Sequence, residues 1–294
     1  MISLGELFLQ KYYELSKEKE SFLCVGLDPA IPSMRDRFVV PSYLVERYGV
    51  GGGIKHFCLE IVKAVAPYTP MIKLNAWYTL PPLSFDEMRE IVETIRSYRC
   101  LALLDAKLTD IGSTNAAGLY WINEMGFDAV TFSPFPGYSD GTDVIYGWAE
   151  KEGKGVFVLC KMSNPGAQDY QSREIGGEPL YRLVAREALE RGADGFVVGC
   201  TRERELGEVR EIVGEKKLIF APGLGPQGGD PETAFRLGAN EKGEALIVSA
   251  SRSINYAYEA LNWPEERFAE AAAEEAKRER NRLNTIKKSV LGKM

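Results

Sequence analysis

Short apolar runs alternate with longer amphipathic stretches along most of the chain. Eight of these runs are five to seven residues long, and several are rich in β-branched or aromatic residues, which is typical of buried strands. They are FLCVGL (22–27), MIKLN (71–75), LALLD (101–105), AVTFS (129–133), GVFVLC (155–160), GFVVG (195–199), KLIFAPG (217–223) and ALIVSA (245–250). Between them the apolar spacing becomes that of an amphipathic helix, as in SFDEMREIVETIRSY (84–98).

Alternating strands and helices predict an α/β fold with parallel strands and right-handed crossovers, and eight such units predict a (β/α)8 TIM barrel. A doubly wound open sheet is the rival, but the first strand continues as GLDPAIPS without the usual GxGxxG turn. We predict one barrel domain over 1–294, with its core at about 20–260 and an N-terminal helix over 1–19. An extra C-terminal helix is predicted over 263–294, capped by Asn262 and with Pro264 in its first turn.

Composition narrows the class of protein. Hydrophobic residues make up 45% and charged residues 27%, which is typical of a globular protein, and the net charge of −6 disfavours a nucleic-acid partner. No apolar run is long enough for a membrane span, and the N-terminus lacks the pattern of a signal peptide. Five scattered cysteines without a CxxC pair then predict reduced thiols and a cytoplasmic location.

A single histidine, His56, limits the chemistry. It excludes sites with several histidine ligands, and any serine or cysteine nucleophile would depend on this one residue as its base. His56 lies within a helical pattern, so we interpret it as structural or exposed. We predict neither a metal nor a cofactor.

Charged residues follow the third predicted strand in the segment DAKLTDIGST (105–114). Barrel enzymes place their chemistry at the carboxyl ends of strands, and residues two apart in a strand point the same way. We therefore expect Asp105 and Lys107 to face the barrel mouth, with Lys73 beside Asp105 and Asp110 returning from the loop to Lys107. The alternating charges of this array sum to zero. A purely structural ion-pair network is the alternative.

The segment PGLGPQGGD (222–230) predicts a phosphate site. Its glycines expose backbone N–H groups, and phosphate commonly binds at the loops after strands seven and eight of this fold. Arg252 follows strand eight and could hold the anion through two parallel hydrogen bonds. Asp28 and Ser163 follow strands one and five, so they would lie around the same mouth.

Five segments together resemble one known family. DAKLTDIGST resembles the DxKxxDIxxT signature of orotidine 5'-phosphate decarboxylases, and CVGLDP, SNPGA, PGLGPQGGD and SRSINYA resemble its other segments in the expected order. The resemblance spans roughly residues 21–257 and is greatest to the type 2 branch, which is common in bacteria. It implies decarboxylation of orotidine 5'-phosphate (OMP) to UMP and CO2 without a cofactor, in pyrimidine nucleotide biosynthesis.

The resemblance also implies catalytic roles. Lys107 would protonate carbon 6 of the pyrimidine within an array of Lys73, Asp105, Lys107 and Asp110. Asp110 and Thr114 would come from the partner subunit of a homodimer.

The binding roles follow from the same resemblance. Asp28 and Thr114 would contact ribose hydroxyls, and Ser163 the pyrimidine edge. Phosphate would be held by Arg252 and by the loop residues Gly225, Gln227, Gly228 and Gly229. Neither the role of Gln227 nor that of Asn75 is defined by the resemblance.

Three other functions remain open at this point. A metal-dependent sister barrel, such as a keto-gulonate-phosphate decarboxylase or a hexulose-phosphate synthase, would share the DxKxxD motif. A Schiff-base aldolase would use Lys107 or Lys161 as its nucleophile, although a lysine held between carboxylates is poorly suited to this. A non-catalytic barrel that binds nucleotide phosphates is the third.

Overall fold

Eight parallel strands form a closed barrel in the computed structural model, which describes residues 7–223 and 230–292. Each strand pairs with its neighbours in the sequence, and the last strand pairs with the first. The strands are β1 Leu23–Leu27, β2 Met71–Asn75, β3 Leu101–Leu108, β4 Ala129–Phe132, β5 Gly155–Lys161, β6 Gly195–Val198, β7 Leu218–Pro222 and β8 Leu246–Ala250. The predicted (β/α)8 fold is thereby confirmed.

Helices surround this barrel. They are α1 Leu7–Glu18, α2 Ser42–Val65, α3 Ala76–Thr79, α4 Phe85–Ser97, α5 Gly112–Glu124, α6 Asp143–Glu152, α7 Ala167–Tyr170, α8 Leu180–Glu190, α9 Glu203–Val213, α10 Pro231–Gly238, α11 Arg252–Asn255, α12 Ala257–Leu261 and α13 Phe268–Leu291. A two-stranded hairpin, Glu174–Ile175 with Glu178–Pro179, precedes α8. Local sequence defines several helix starts: Ser84 and Glu87 form a reciprocal capping box at α4.

The C-terminal helix α13 packs against α2 and α10 in the outer layer. Its buried face includes Phe268, which stacks on Phe57 of α2 at 5.1 Å between ring centroids. The predicted cap was wrong, because Asn262 has a left-handed conformation (φ 53°) and ends α12 instead. A short 3-10 turn, Glu265–Arg267, then leads into α13.

The amino end of the barrel is closed by α1. Phe8 and Tyr12 are both 1% exposed and pack with inward-facing strand residues such as Cys24 and Phe157. Gly155 begins β5 here, and a Cβ atom on it would lie 2.5 Å from the Phe8 ring. Because α1 fills this end, the amino end of the barrel offers no room for a ligand among the described residues.

Two further expectations can be compared with the structure. All five cysteines are buried and carry free thiols. Within residues 7–223 and 230–292, no helix combines the length and the apolar character needed to cross a membrane.

Candidate active site

A cavity of about 250 Å³ lies at the carboxyl end of the barrel. Along the strands, the inward-facing side chains change from apolar near the closed amino end of the barrel to polar near the carboxyl end. Seven of the residues singled out in the sequence line the cavity, namely Asp28, Lys73, Asn75, Asp105, Lys107, Ser163 and Arg252. Strand ends that are far apart in sequence therefore meet in one place.

Asp105 is the centre of the charged cluster. Its carboxylate accepts hydrogen bonds from Lys73 Nζ at 3.0 Å and from Lys107 Nζ at 2.7 Å. On the far side of Lys73, the carboxylate of Asp28 lies 3.7 Å from Nζ. The four groups form a chain in which opposite charges alternate, Asp28–Lys73–Asp105–Lys107, and each buried charge has an opposite neighbour.

Ionisation of the cluster follows from these contacts. Burial alone would raise the pKa of Asp105, but the ammonium groups of Lys73 and Lys107 outweigh burial and hold it well below its usual range. Burial alone would lower the pKa of Lys73, but Asp28 and Asp105 outweigh burial and raise it. Lys73 and Asp105 thus present fixed charges to the cavity over the whole physiological pH range.

The backbone of β3 leaves regular strand geometry where it enters the cavity. Its register against β4 shifts between Leu104 and Leu108, and Lys107 has a left-handed conformation with φ of 52°. Lys107 therefore reaches Asp105 as expected, but through a bulge and not by unbroken alternation. Non-glycine residues with this conformation are uncommon and occur often at functional sites.

Asp110 and Thr114 do not join the cavity of their own chain. Both are exposed, and the Asp110 carboxylate accepts a hydrogen bond from the backbone N–H of Ile111 at 2.7 Å. The expectation that Asp110 returns to Lys107 within the chain is wrong, because the chain after β3 turns outward into α5. The cavity of one chain thus has Lys107 without a second carboxylate partner among the described residues.

The predicted phosphate site is described in part. Arg252 begins α11 and lines the cavity together with Gly223 at the end of β7. Among the described residues, no carboxylate forms an ion pair with the Arg252 guanidinium, which leaves it available to an anion. Gly225, Gln227, Gly228 and Gly229 lie outside the described residues.

Sequence reasoning missed a hydroxyl that supports the cluster. Thr131 on β4 donates a hydrogen bond to Asp105 Oδ1 at 2.9 Å and accepts one from the backbone N–H of Lys107 at 3.0 Å. The sequence did contain a pattern that could have identified Thr131, because it lies two positions after the inward-facing Ala129 in an otherwise apolar strand. Asn75, which had no expected role, lines the cavity and caps α3.

Two residues considered for other chemistry lie outside the cavity lining. His56 on α2 stacks on Tyr48, with 4.0 Å between ring centroids. Lys161 at the end of β5 has a fully buried side chain, so a carbonyl substrate in the cavity would not reach its ammonium group. Within the described parts of the chain, no three histidine, cysteine, aspartate or glutamate side chains cluster as a set of metal ligands.

The fold and the cavity define a (β/α)8-barrel enzyme with a lysine–aspartate site at its strand ends. The family model described as orotidine 5'-phosphate decarboxylase / HUMPS family matches residues 21–262. A curated orotidine 5'-phosphate decarboxylase from Cupriavidus metallidurans is 37% identical, over 91% of this chain and 94% of the relative. One from Dehalococcoides mccartyi is 34% identical, over 96% and 98%. The chain belongs to the orotidine 5'-phosphate decarboxylase / HUMPS family.

Solved structures share the fold over nearly the whole chain. A structure of Leishmania donovani OMP decarboxylase matches with a TM-score of 0.73 and 24% identity, covering 97% of this chain and 99% of that chain. The agreement extends from the barrel to the outer helices. It establishes the architecture, while the family assignment rests on the sequence matches.

Proposed function

We propose that this chain is an orotidine 5'-phosphate decarboxylase that converts OMP to UMP and CO2 in pyrimidine nucleotide biosynthesis. The observation that carries the proposal is Asp105 held between Lys73 and Lys107 in the barrel mouth of a chain from this family. The curated relatives from Cupriavidus metallidurans and Dehalococcoides mccartyi, at 37% and 34% identity, bear this enzyme's name. The same proposal places the chain in the type 2 branch of this family.

In the reaction, the bond between C6 and the carboxyl carbon breaks and CO2 leaves. The electron pair remains on C6, where negative charge develops. The Lys107 ammonium would stabilise this charge, and its proton would then form the new C6–H bond. Because Asp105 already fixes the ammonium, little reorganisation is needed at the barrier.

Binding contacts would hold the nucleotide across the mouth. Ser163 lies on the cavity wall after β5, where it would meet the pyrimidine edge, and Asp28 lies at the end of β1 for the ribose. Arg252 would bind the phosphate with the backbone at Gly223 and the loop beyond it. Binding energy from the phosphate would orient the ring against Lys107.

A homodimer would complete the site. Asp110 and Thr114 are exposed on the same sector of the barrel as several large apolar side chains, which follow neighbouring strands β2, β3 and β4. These side chains are 55–92% exposed and are Trp77, Ile111, Tyr120, Trp121 and Phe135. Exposed apolar surface of this kind is typical of protein–protein contacts. A second copy packed here would bring its Asp110 and Thr114 to the cavity.

The decisive experiment follows the loss of absorbance as purified protein converts OMP to UMP, with and without excess EDTA. We expect rapid turnover that the chelator does not change. Turnover that requires a divalent metal, or none with OMP, would move the assignment to a sister barrel or to a binding protein.

The matched variant pair is Lys107→Ala and Lys63→Ala. We expect Lys107→Ala to lower kcat by many orders of magnitude, because it removes both the fixed charge and the proton donor. Lys63 is an exposed lysine that pairs with Glu60 on α2, so Lys63→Ala should retain wild-type kcat. Near-wild-type activity in Lys107→Ala would remove this lysine from the chemistry.

A further inference from the structure

A second buried lysine lies next to the cavity without lining it. Lys161 ends β5, two residues before Ser163, and its side chain is 0% exposed. A buried ammonium costs free energy unless hydrogen bonds and an opposite charge compensate for it. Its partners therefore indicate what the residue holds in place.

The partners of Lys161 belong to the loop that carries Ser163. Nζ donates hydrogen bonds to the backbone oxygen of Ala167 at 3.2 Å, to Gln168 Oε1 at 3.3 Å and to Ser172 Oγ. Glu205 on α9 provides the opposite charge, with 3.9 Å between Nζ and Oε1. One rigid strand end is thus tied to three separate points of residues 167–172.

The start of the loop is fixed from the other side. Arg202, just before α9, donates to the backbone oxygen of Asn164 at 2.9 Å and to that of Met162 at 3.4 Å. The backbone N–H of Met162 in turn donates to Gln171 Oε1 at 2.8 Å. Gly199 allows close packing, because a Cβ atom there would lie 2.7 Å from Ser163 Cα.

We propose that Lys161 is a positioning residue that holds the 162–172 loop so that Ser163 meets the pyrimidine edge of the nucleotide. The inference rests on the proposed function and adds a determinant of base recognition to it. Lys161 acts through Ser163 and touches neither the substrate nor the reacting atoms. The proposed phosphate and ribose contacts come from other segments: the ends of β1, β7 and β8 and, for Thr114, the partner subunit.

Because the base and the sugar phosphate are bound by different segments, two ligands can distinguish a specific loss of base recognition from a general loss of structure. UMP carries the base, whereas ribose 5-phosphate carries only the sugar and the phosphate. Lys161→Met retains the length of the side chain but removes the ammonium group and its hydrogen bonds. We expect it to weaken UMP binding by tenfold or more while ribose 5-phosphate binding stays within about twofold, as measured by calorimetry.

Lys154→Met is the matched control. Lys154 directly precedes the other end of β5, where its Nζ donates to the backbone oxygen of Phe127 at 2.6 Å. It is a partly buried lysine at the same strand but at the closed end of the barrel. We expect both ligands to bind this variant as they bind the wild type.

Ser172→Ala removes one acceptor of the Lys161 ammonium and is the second variant if Lys161→Met does not fold. It should show a smaller weakening, confined to UMP. Unchanged UMP binding in folded Lys161→Met, or equal weakening of both ligands, would overturn the positioning role. A wild-type protein that binds UMP no more tightly than ribose 5-phosphate would instead refute the proposed function, and this inference with it.

Discussion

At the scale of single residues, the charged cluster depends on one neutral hydroxyl. Thr131 is 2% exposed and joins the carboxylate of Asp105 to the backbone of Lys107, the residue with the left-handed conformation. It therefore restrains both the carboxylate at the centre of the cluster and the bulge that positions Lys107. A hydrogen bond to a charged group contributes about 1.5–3 kcal/mol.

Thr131→Val should lower kcat by roughly 10- to 100-fold, because it removes that hydrogen bond while keeping the shape of the side chain. KM should change less, since Thr131 contacts no group proposed to bind the phosphate or the ribose. Steady-state kinetics measures both constants, and Thr131→Ser, which keeps the hydroxyl, should retain most of the activity. Equal activity of the valine and serine variants would contradict this.

Asp194 is a buried carboxylate remote from the cavity, directly before β6. Its Oδ2 accepts a hydrogen bond from the Val156 N–H at 3.1 Å, while Oδ1 has no hydrogen-bond partner in the part of the chain that the structure describes. Burial raises the pKa of Asp194 to about 7, although Lys217 opposes the shift. In the unfolded chain the pKa is about 3.9, so between about pH 4 and pH 7 the native state holds a proton that the unfolded state has lost.

The stability contributed by this protonated carboxyl is therefore present at low pH and is lost as pH rises through about 7. Asp194→Asn keeps an acceptor for Val156 but does not titrate. We expect this variant to gain stability relative to the wild type by at least about 1 kcal/mol between pH 5 and pH 8. Denaturant unfolding at the two pH values measures the difference, and parallel behaviour of the two proteins would contradict the shift.

The residues that could be predicted are those whose position follows from strand ends. Lys73 lies within β2, Asp105 ends the apolar run of β3 and Arg252 follows β8, so the fold itself placed them around one mouth. Asp110 could not be placed this way, because a loop residue has no register to fix its direction. Thr131 was missed because threonine is common in strands and, being uncharged, does not by itself indicate a functional site.

At the scale of elements, strand positions followed closely from apolar runs, while irregular backbone did not. Strand β3 continues through a bulge to Leu108, three residues past the apolar run. No pattern of side chains predicts this bulge. Asn262 is a good N-cap by type, yet asparagine also tolerates the left-handed conformation that ends α12. Local preference therefore allowed both outcomes.

The element α1 closes the barrel end opposite the cavity, so it should affect stability without affecting chemistry. Phe8→Ala removes a buried ring that packs edge-to-face on Phe157, with 5.8 Å between centroids. We expect a loss of about 3–5 kcal/mol in the free energy of unfolding, with kcat unchanged within a few-fold at temperatures where the protein stays folded.

The control for Phe8→Ala is Gln10→Ala on the exposed face of the same helix. Gln10 bonds only Glu14 among the described residues, so its loss should change stability by less than about 1 kcal/mol. Chemical denaturation and steady-state kinetics measure both effects. A Phe8→Ala protein with wild-type stability, or with kcat lowered far below that of Gln10→Ala, would show that α1 has another role.

At the scale of the whole molecule, the barrel was predictable because the number of units and the order of elements leave few topologies. The homodimer was expected from the family resemblance alone, since the hydrophobic pattern of a single sequence does not say which surface faces a copy. The structure adds a constraint: among the described residues, Lys107 has one carboxylate partner, and Asp110 is exposed beside a sector of large apolar side chains. Both features are explained if two chains share each site.

Mixing two inactive variants tests this sharing. Lys107→Ala lacks the proton donor and Asp110→Asn lacks the carboxylate proposed to reach the partner's site, so each homodimer should be nearly inactive. A mixed dimer, however, has one site with both wild-type residues and one with neither. After subunit exchange at equal concentrations, half the dimers are mixed, and we expect about a quarter of wild-type activity. The control is a double variant in which every chain carries both changes. It goes through the same exchange procedure and should stay inactive. If exchange is verified by mass and activity does not return, Asp110 acts within its own chain or not at all.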